Sequence, residues 1–106
     1  MLTRAVFHIL LSLSAEDRHG LGIAADVKDF TGGRSVLGPG TLYGTIKRML
    51  DAGLIEDLDS PGGAEDDPRR RYYRITSAGR RALERETRNL TDLVGTAQRR
   101  RVLKRT

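Results

Sequence analysis

The chain has 106 residues, and it contains no cysteine, no tryptophan and only three prolines. Without cysteine it can form no disulfide, no thiolate zinc site and no iron–sulfur cluster, and it offers no thiol nucleophile. The absence of disulfides fits a reducing compartment, so we expect a cytoplasmic protein. Its length predicts a single domain.

Long hydrophobic runs are missing as well. The longest candidate, residues 6–13, contains His8 and Ser12, whereas a membrane-spanning helix needs about 20 apolar residues. No small-residue cleavage site precedes Glu16 and Asp17, so we expect no signal peptide. We therefore expect the whole chain to work inside the cell, with no membrane partner.

Charge is abundant and unevenly distributed along the chain. The net charge is +5, but residues 1–67 carry 6 basic and 11 acidic side chains, whereas residues 68–106 carry 13 basic and 3 acidic ones. A basic balance favours an anionic partner, above all nucleic acid. Adjacent runs such as acidic 65–67 and basic 69–71 also occur in solvated loops with local ion pairs, which leaves a second interpretation open.

Helical periodicity dominates the start of the chain. The apolar residues of 2–14 recur at the spacing of one helical face and predict a first helix. Phe7 and Leu11 lie off that face, so the helix is apolar around much of its circumference. Such a helix is buried on more than one side, which favours contact with a second copy of the chain.

Two more helices are predicted before residue 54. A second helix covers residues 22–30. A third begins at Pro39, because proline at the first helical position loses no hydrogen bond. It ends at Gly53, which is placed as a C-terminal cap. Its core-facing residues are Leu42, Ile46, Met49 and Leu50.

The second half of the chain predicts a hairpin and a long last helix. Short strands over 54–58 and 71–75 are joined by a polar loop that forms a projecting tip. Thr76 can cap a helix whose apolar residues recur at steps of four and three, a short heptad-like seam. We expect this helix to dimerise, although packing on its own domain would give the same pattern. The basic tail from Arg99 is expected to be disordered, with nonspecific phosphate contacts as the alternative.

This order of elements is typical of a winged helix-turn-helix protein. We predict a mainly α (α+β) fold with three helices, a two-stranded β wing and a long C-terminal dimerisation helix. The expected divisions are a DNA-binding domain over 1–75, the dimerisation helix over 76–98 and the tail over 99–106.

The third helix and the wing supply the candidate DNA-binding residues. Thr, Lys and Arg side chains can bond phosphates or base edges. Gly44 either lets the backbone approach DNA closely or is tolerated at a cost of about 1 kcal/mol. Tyr43 either bonds a phosphate or packs at the domain edge. The predicted set is Gly40, Thr41, Tyr43, Gly44, Thr45, Lys47, Arg48, Arg69, Arg70 and Arg71.

The first and last helices supply the candidate dimer interface. Their apolar faces exceed what one small domain needs to bury. The predicted interface residues are Leu2, Val6, Phe7, Ile9, Leu10, Leu83, Leu90 and Val94.

Three stretches of the chain resemble the PadR family of bacterial transcriptional regulators. Residues 19–23 (HGLGI) are similar to the family's HGYGI turn, and residues 37–49 (LGPGTLYGTIKRM) are similar to its SPGTLYPALKRL helix. Residues 51–55 with 69–79 are similar to its GLI…RRYYRLTxxG wing. Each motif is weak alone, but all three occur in order and at matching spacing within residues 2–95.

The resemblance implies a homodimeric repressor that binds a pseudo-palindromic operator. In many members it also implies release by a small aromatic or hydrophobic effector. Such a ligand would use Phe7, His8 and Leu11 with the last helix, although a satisfied interface histidine is the favoured interpretation of His8. The chain departs from the family at Leu21, where the motif has tyrosine, and at Gly44, where it has proline. Without tryptophan, no ligand can be held between two indole rings.

The same sequence gives less support to other functional classes. The sequence has no phosphate-binding loop, no H-E-x-x-H and no G-x-S-x-G, so we predict no enzyme, no cofactor and no metal. A winged helix used for protein or RNA contacts remains the alternative, but it would favour an acidic or apolar third helix. The tail lacks the bulky apolar residues that would insert into a membrane surface, so membrane binding by the tail is disfavoured.

Overall fold

The computed structural model describes residues 2–58 and 71–103. The helices are α1 (Arg4–Ala15), α2 (Gly20–Phe30), α3 (Pro39–Asp51) and α4 (Ser77–Arg99). The strands are β1 (Arg18–His19), β2 (Ile55–Leu58) and β3 (Tyr72–Ile75). The architecture is a mainly helical winged helix-turn-helix, which confirms the predicted fold class.

Local capping explains where the helices begin. Thr3 Oγ1 accepts the Val6 N–H at 3.2 Å before α1, and Thr76 Oγ1 accepts the Gly79 N–H at 3.0 Å before α4. Both contacts satisfy amides that have no partner within the helix. α2 begins two residues earlier than predicted, because His19 caps it.

The sheet has one strand more than the sequence predicted. Its order is β1-β3-β2, and both pairings are antiparallel. β2 and β3 form the predicted hairpin, and β1 adds Arg18 and His19 opposite Tyr73 and Tyr72. The two-stranded wing is therefore corrected to a three-stranded sheet, because two residues are too few to show the alternation that reveals a strand. The predicted hairpin tip lies outside the described residues.

One apolar core joins the helices to the sheet. Ile9 and Leu10 of α1 and Ile23 of α2 are fully buried. The same cluster contains Leu13, Val27, Leu42, Ile46, Met49, Ile55, Tyr73, Ile75 and Leu83. The core thus fixes α3 and the wing strands to one scaffold.

α4 divides into a packed half and an exposed half. Gly79, Leu83 and Glu86 are buried, whereas residues 87–94 are exposed. Beyond Arg99 the chain makes a turn in which the Val102 N–H donates to the Ala97 carbonyl at 2.9 Å. These backbone hydrogen bonds close the end of the helix. The disorder of the basic tail from Arg99 stays a prediction. Residues 104–106 lie outside the described part.

Candidate nucleic-acid interface

The core contacts of α3 decide which of its faces meets solvent. Leu42, Ile46 and Met49 face the core, and they turn the opposite side of the helix outward. Gly40, Thr41, Lys47 and Arg48 are exposed there, with Gly44 half-buried between them. The structure thus brings five of the predicted DNA-binding positions onto or beside one accessible face.

Two predicted DNA-binding residues of α3 point elsewhere. Thr45, predicted as a DNA-binding residue, is 1% exposed and lies on the side of Leu42 and Met49, so its side chain offers no accessible surface to DNA. The Tyr43 hydroxyl is buried and has no hydrogen-bond partner among the described residues. It packs against Gly20, which corresponds to the packing alternative rather than to a phosphate contact.

The cationic groups of α3 are only lightly constrained. Lys47 Nζ lies 3.8 Å from Asp51 Oδ2 one turn later, and both side chains are more than two-thirds exposed. Arg48 donates from Nη2 to Thr45 Oγ1 at 3.2 Å. An exposed i,i+4 ion pair such as Lys47–Asp51 contributes about 0.3–0.5 kcal/mol, so Lys47 can turn to another anion at little cost.

Ion pairs at the base of the wing orient its arginines. Arg71 Nη1 lies 3.2 Å from Asp57 Oδ2 on the paired strand. Arg74 joins Asp17 at 3.5 Å and Glu56 at 3.8 Å. The sequence pattern did not predict the Arg74–Asp17 pair, because it depends on β1 pairing with β3, whereas Glu56 lies opposite Arg74 in the predicted hairpin. The predicted Arg69 and Arg70 lie outside the described residues.

The predicted dimer residues fall into two groups. Ile9, Leu10 and Leu83 belong to the core of a single chain and leave no surface for a partner, so their interface role is corrected. Leu90 and Val94 of α4 are 39% and 46% exposed, and Leu2, Val6 and Phe7 are half-buried.

Two cavities flank the outer edge of α1. The larger, about 440 Å³, contains the three predicted effector residues Phe7, His8 and Leu11 together with Arg4, Phe30 and Arg34. The second, about 370 Å³, lies between α1 and α4 and is lined by Leu2, Arg4, Phe7, His8, Glu86 and Leu90. Sequence reasoning missed Arg34 and Glu86, because only the packing of α1 places them beside Phe7 and His8.

His8 lines both cavities, and its imidazole ring contacts two other side chains. Its ring lies edge-on to Phe30 at a centroid distance of 5.8 Å, and its Nδ1 is 3.4 Å from Ser35 Oγ. Burial, and then the positive charge of Arg4, lowers the pKa of His8 below its ordinary value of 6.5. The neutral imidazole is therefore favoured, and it can both donate and accept a hydrogen bond.

Neither a membrane-spanning helix nor a metal-binding cluster of side chains occurs in the described residues. Within residues 2–58 and 71–103, no helix combines the length and the apolar character needed to cross a membrane. In the same residues, His and carboxylate side chains form no group of three or more that could hold a metal ion.

Comparison with a family model places most of this chain in a known group. The model of the Transcriptional regulator PadR-like family matches residues 9–85. The match covers α2, α3 and the wing, together with residues 9–15 of α1 and residues 77–85 of α4.

One relative of known sequence and one solved structure are similar to most of this chain. An uncharacterised 37.1 kDa protein in transposon Tn4556 of Streptomyces fradiae is 36% identical over 87 residues, which are 82% of this chain. The match spans only 23% of that relative's length. A PadR family transcription regulator from Clostridium difficile has a TM-score of 0.76 and 28% identity, with coverage of 92% of this chain and 97% of that one.

A further solved structure is similar in fold. PadR of Bacillus subtilis, solved in complex with operator DNA, has a TM-score of 0.66 and 21% identity. The likeness covers 77% of this chain and 45% of that one.

Proposed function

This chain belongs to the PadR-like family of transcriptional regulators, and from that premise we propose that it is a homodimeric repressor that binds a pseudo-palindromic operator in double-stranded DNA. As a member of that family it is a regulator and not an enzyme. Each dimer would place two α3 helices in major grooves about one helical turn apart. Repression would be steric, because the bound dimer excludes polymerase from the promoter, and the protein would act in the cytoplasm.

The observation that carries the DNA proposal is the outer face of α3. Lys47 and Arg48 are exposed beside Gly40, Thr41 and the half-buried Gly44, where small side chains leave room for a groove wall. Arg71, which directly precedes β3, is also exposed and can reach the neighbouring backbone of the DNA. These groups match what phosphate and base-edge recognition requires, and the Bacillus subtilis PadR was solved with operator DNA.

The first experiment measures binding to a fluorescent duplex that carries the upstream promoter region of the gene. A scrambled duplex is the control, and salt is varied over about 50–200 mM. We expect tight binding to the promoter duplex that weakens steeply with salt. Equal, weak binding to both duplexes would overturn operator recognition and favour a protein or RNA partner.

Variants of α3 locate the contact. Lys47→Ala and Arg48→Ala should each weaken binding and, for a phosphate contact, reduce the salt slope by about one unit. Asp51→Asn should act in the opposite direction, because it removes an exposed carboxylate 3.8 Å from Lys47. Unchanged affinity for the promoter duplex in all three variants would show that the outer face of α3 does not contact DNA.

The exposed half of α4 supports the homodimer. Leu90, Leu93 and Val94 are 39%, 59% and 46% exposed, and an apolar surface of this kind is typical of a protein interface. Val94→Glu should convert the dimer to a monomer in sedimentation velocity. Thr91→Glu is the matched control, because Thr91 is also exposed on α4 but is not apolar, and it should leave the dimer intact.

The cavity beside His8 supports release by a small aromatic or hydrophobic effector. Phe7, Leu11 and Phe30 provide apolar walls, and the volume of about 440 Å³ lies in the range of small-molecule sites. Small aromatic compounds should raise the unfolding temperature and release the promoter duplex. Phe30→Ala should abolish both effects and leave DNA binding without the compound unchanged.

A further inference from the structure

His19 stands where the helix-turn-helix and the wing touch. It is the last residue of β1 and is followed directly by Gly20, the first residue of α2. Across the sheet it is paired in register with Tyr72, the first residue of β3. Tyr72 in turn follows Arg71, an exposed arginine of the wing. The start of α2 and the start of the wing strand β3 are thus connected through one short segment.

The imidazole of His19 makes two different contacts. Its Nδ1 accepts the Gly22 N–H at 2.9 Å and so caps α2; the proton of the neutral ring then lies on Nε2. Its ring lies edge-on to the Tyr72 ring, with centroids 5.4 Å apart and planes at 88°. One side chain therefore holds the start of a helix and the start of a wing strand together.

The next residue ties the same segment to α3. A Cβ on Gly20 would lie 2.8 Å from Tyr43 Cε1, so the Tyr43 ring packs directly on this backbone. The shared core already joins α3 to the wing strands, and a second connection between α3 and Arg71 runs through Tyr43, Gly20, His19 and Tyr72. A protein that contacts a groove and the adjacent backbone together binds best when the two contacts are held at a fixed separation.

We propose that His19 is a positioning residue for DNA binding, which holds the wing at a fixed place relative to α3 through its edge-on contact with Tyr72 while it caps α2. This inference rests on the proposed DNA-binding function. His19 itself need not touch DNA, since it acts through the position of Arg71.

Separate variants divide the two contacts. Asparagine is a good capping residue, so His19→Asn keeps a cap for α2 and loses the ring. His19→Phe keeps a ring beside Tyr72 and loses the cap, and Tyr72→Leu removes the ring from the other side. Free energies of unfolding are measured by urea titration. Promoter-duplex affinity is measured at a temperature at which every variant is folded.

We expect His19→Asn to unfold like the wild type and to bind the promoter duplex about fivefold more weakly, the scale of coupling between contacting residues. Tyr72→Leu should weaken binding by a similar factor, and the double variant should be no weaker than either single one. His19→Phe should lose stability but keep most of its affinity. A purely structural role would instead make affinity follow stability.

A double-mutant cycle with Arg71 tests the route of the effect. Arg71→Ala should weaken binding in the wild type and have a smaller effect in the His19→Asn background, because the wing is then already displaced. Wild-type affinity in His19→Asn, or additive effects of the two substitutions, would overturn the positioning role and leave operator binding standing. Failure of the wild type to prefer the promoter duplex would overturn both proposals.

Discussion

A methyl group on Gly20 would stand 2.8 Å from both Cε1 and the hydroxyl oxygen of Tyr43. This separation is well inside van der Waals contact, so α2 and α3 meet here without room for any side chain at position 20. The hydrogen of Gly20 thus sets how closely the first helix of the helix-turn-helix approaches the second. The orientation of the outer face of α3 follows from this contact and from the core.

Gly20→Ala should therefore lower the free energy of unfolding by about 1–3 kcal/mol, the usual cost of overpacking. Urea unfolding measures the change. In a Tyr43→Ala background the same substitution should cost much less, because the opposing ring is gone. An equal cost in both backgrounds would show that the backbone of residue 20, and not the Tyr43 ring, is the source.

Gly79 has an even closer neighbour. A Cβ at this position would overlap the carbonyl oxygen of Leu54, which is backbone and already accepts the Thr76 N–H at 3.1 Å. Gly79→Ala should destabilise the fold by about 3 kcal/mol or more, since a backbone atom yields less than a side chain.

The matched control for Gly79 lies on the same helix. A Cβ on Gly95 would meet only the flexible end of Arg99 at 3.4 Å. Gly95→Ala should be neutral or stabilise α4 by up to about 1 kcal/mol. A comparable loss in both variants would contradict the assignment of the effect to Leu54.

Gly44 should separate stability from binding. A Cβ there would meet nothing closer than Arg48 Nη1 at 3.8 Å, so Gly44→Ala should stabilise α3 by up to about 1 kcal/mol. The same methyl group would stand on the proposed DNA-facing side and should weaken promoter binding. Urea unfolding and duplex titration should thus change in opposite directions, and an unchanged affinity would support simple tolerance of glycine.

His8 makes stability depend on pH. Because its pKa is lowered in the folded chain, the unfolded chain binds more protons between that lowered pKa and the ordinary value of 6.5. The free energy of unfolding should therefore fall as pH falls through 6.5 and level off below the folded-state pKa.

The pH effect is measured by urea unfolding of the wild type and of His8→Phe at about pH 7.5 and about pH 5. The wild type should lose more stability than the variant, and the difference isolates His8 from the carboxylates. Parallel losses in the two proteins would show that His8 keeps its ordinary affinity for protons after folding.

Much of the architecture follows from local pattern. The apolar period of α1 and α3, the proline at the start of α3 and the threonine before α4 predicted helices close to those observed. These signals are reliable because each depends on residues within a few positions of one another. Strand β1 and the cap by His19 escaped prediction, since a two-residue strand has no period and histidine is not a usual capping residue.

The amino-acid sequence by itself determined the order of the four helices and of the β2–β3 hairpin, the basic face of α3 and the family motifs, because periodicity, capping and charge are properties of neighbouring residues. Only the tertiary structure decided which side chains of those segments remain accessible. It buried Thr45, Ile9 and Leu10, turned the Tyr43 hydroxyl onto Gly20 and brought His19 against Tyr72. Such contacts join residues far apart in the chain, and their geometry is set by how the helices pack.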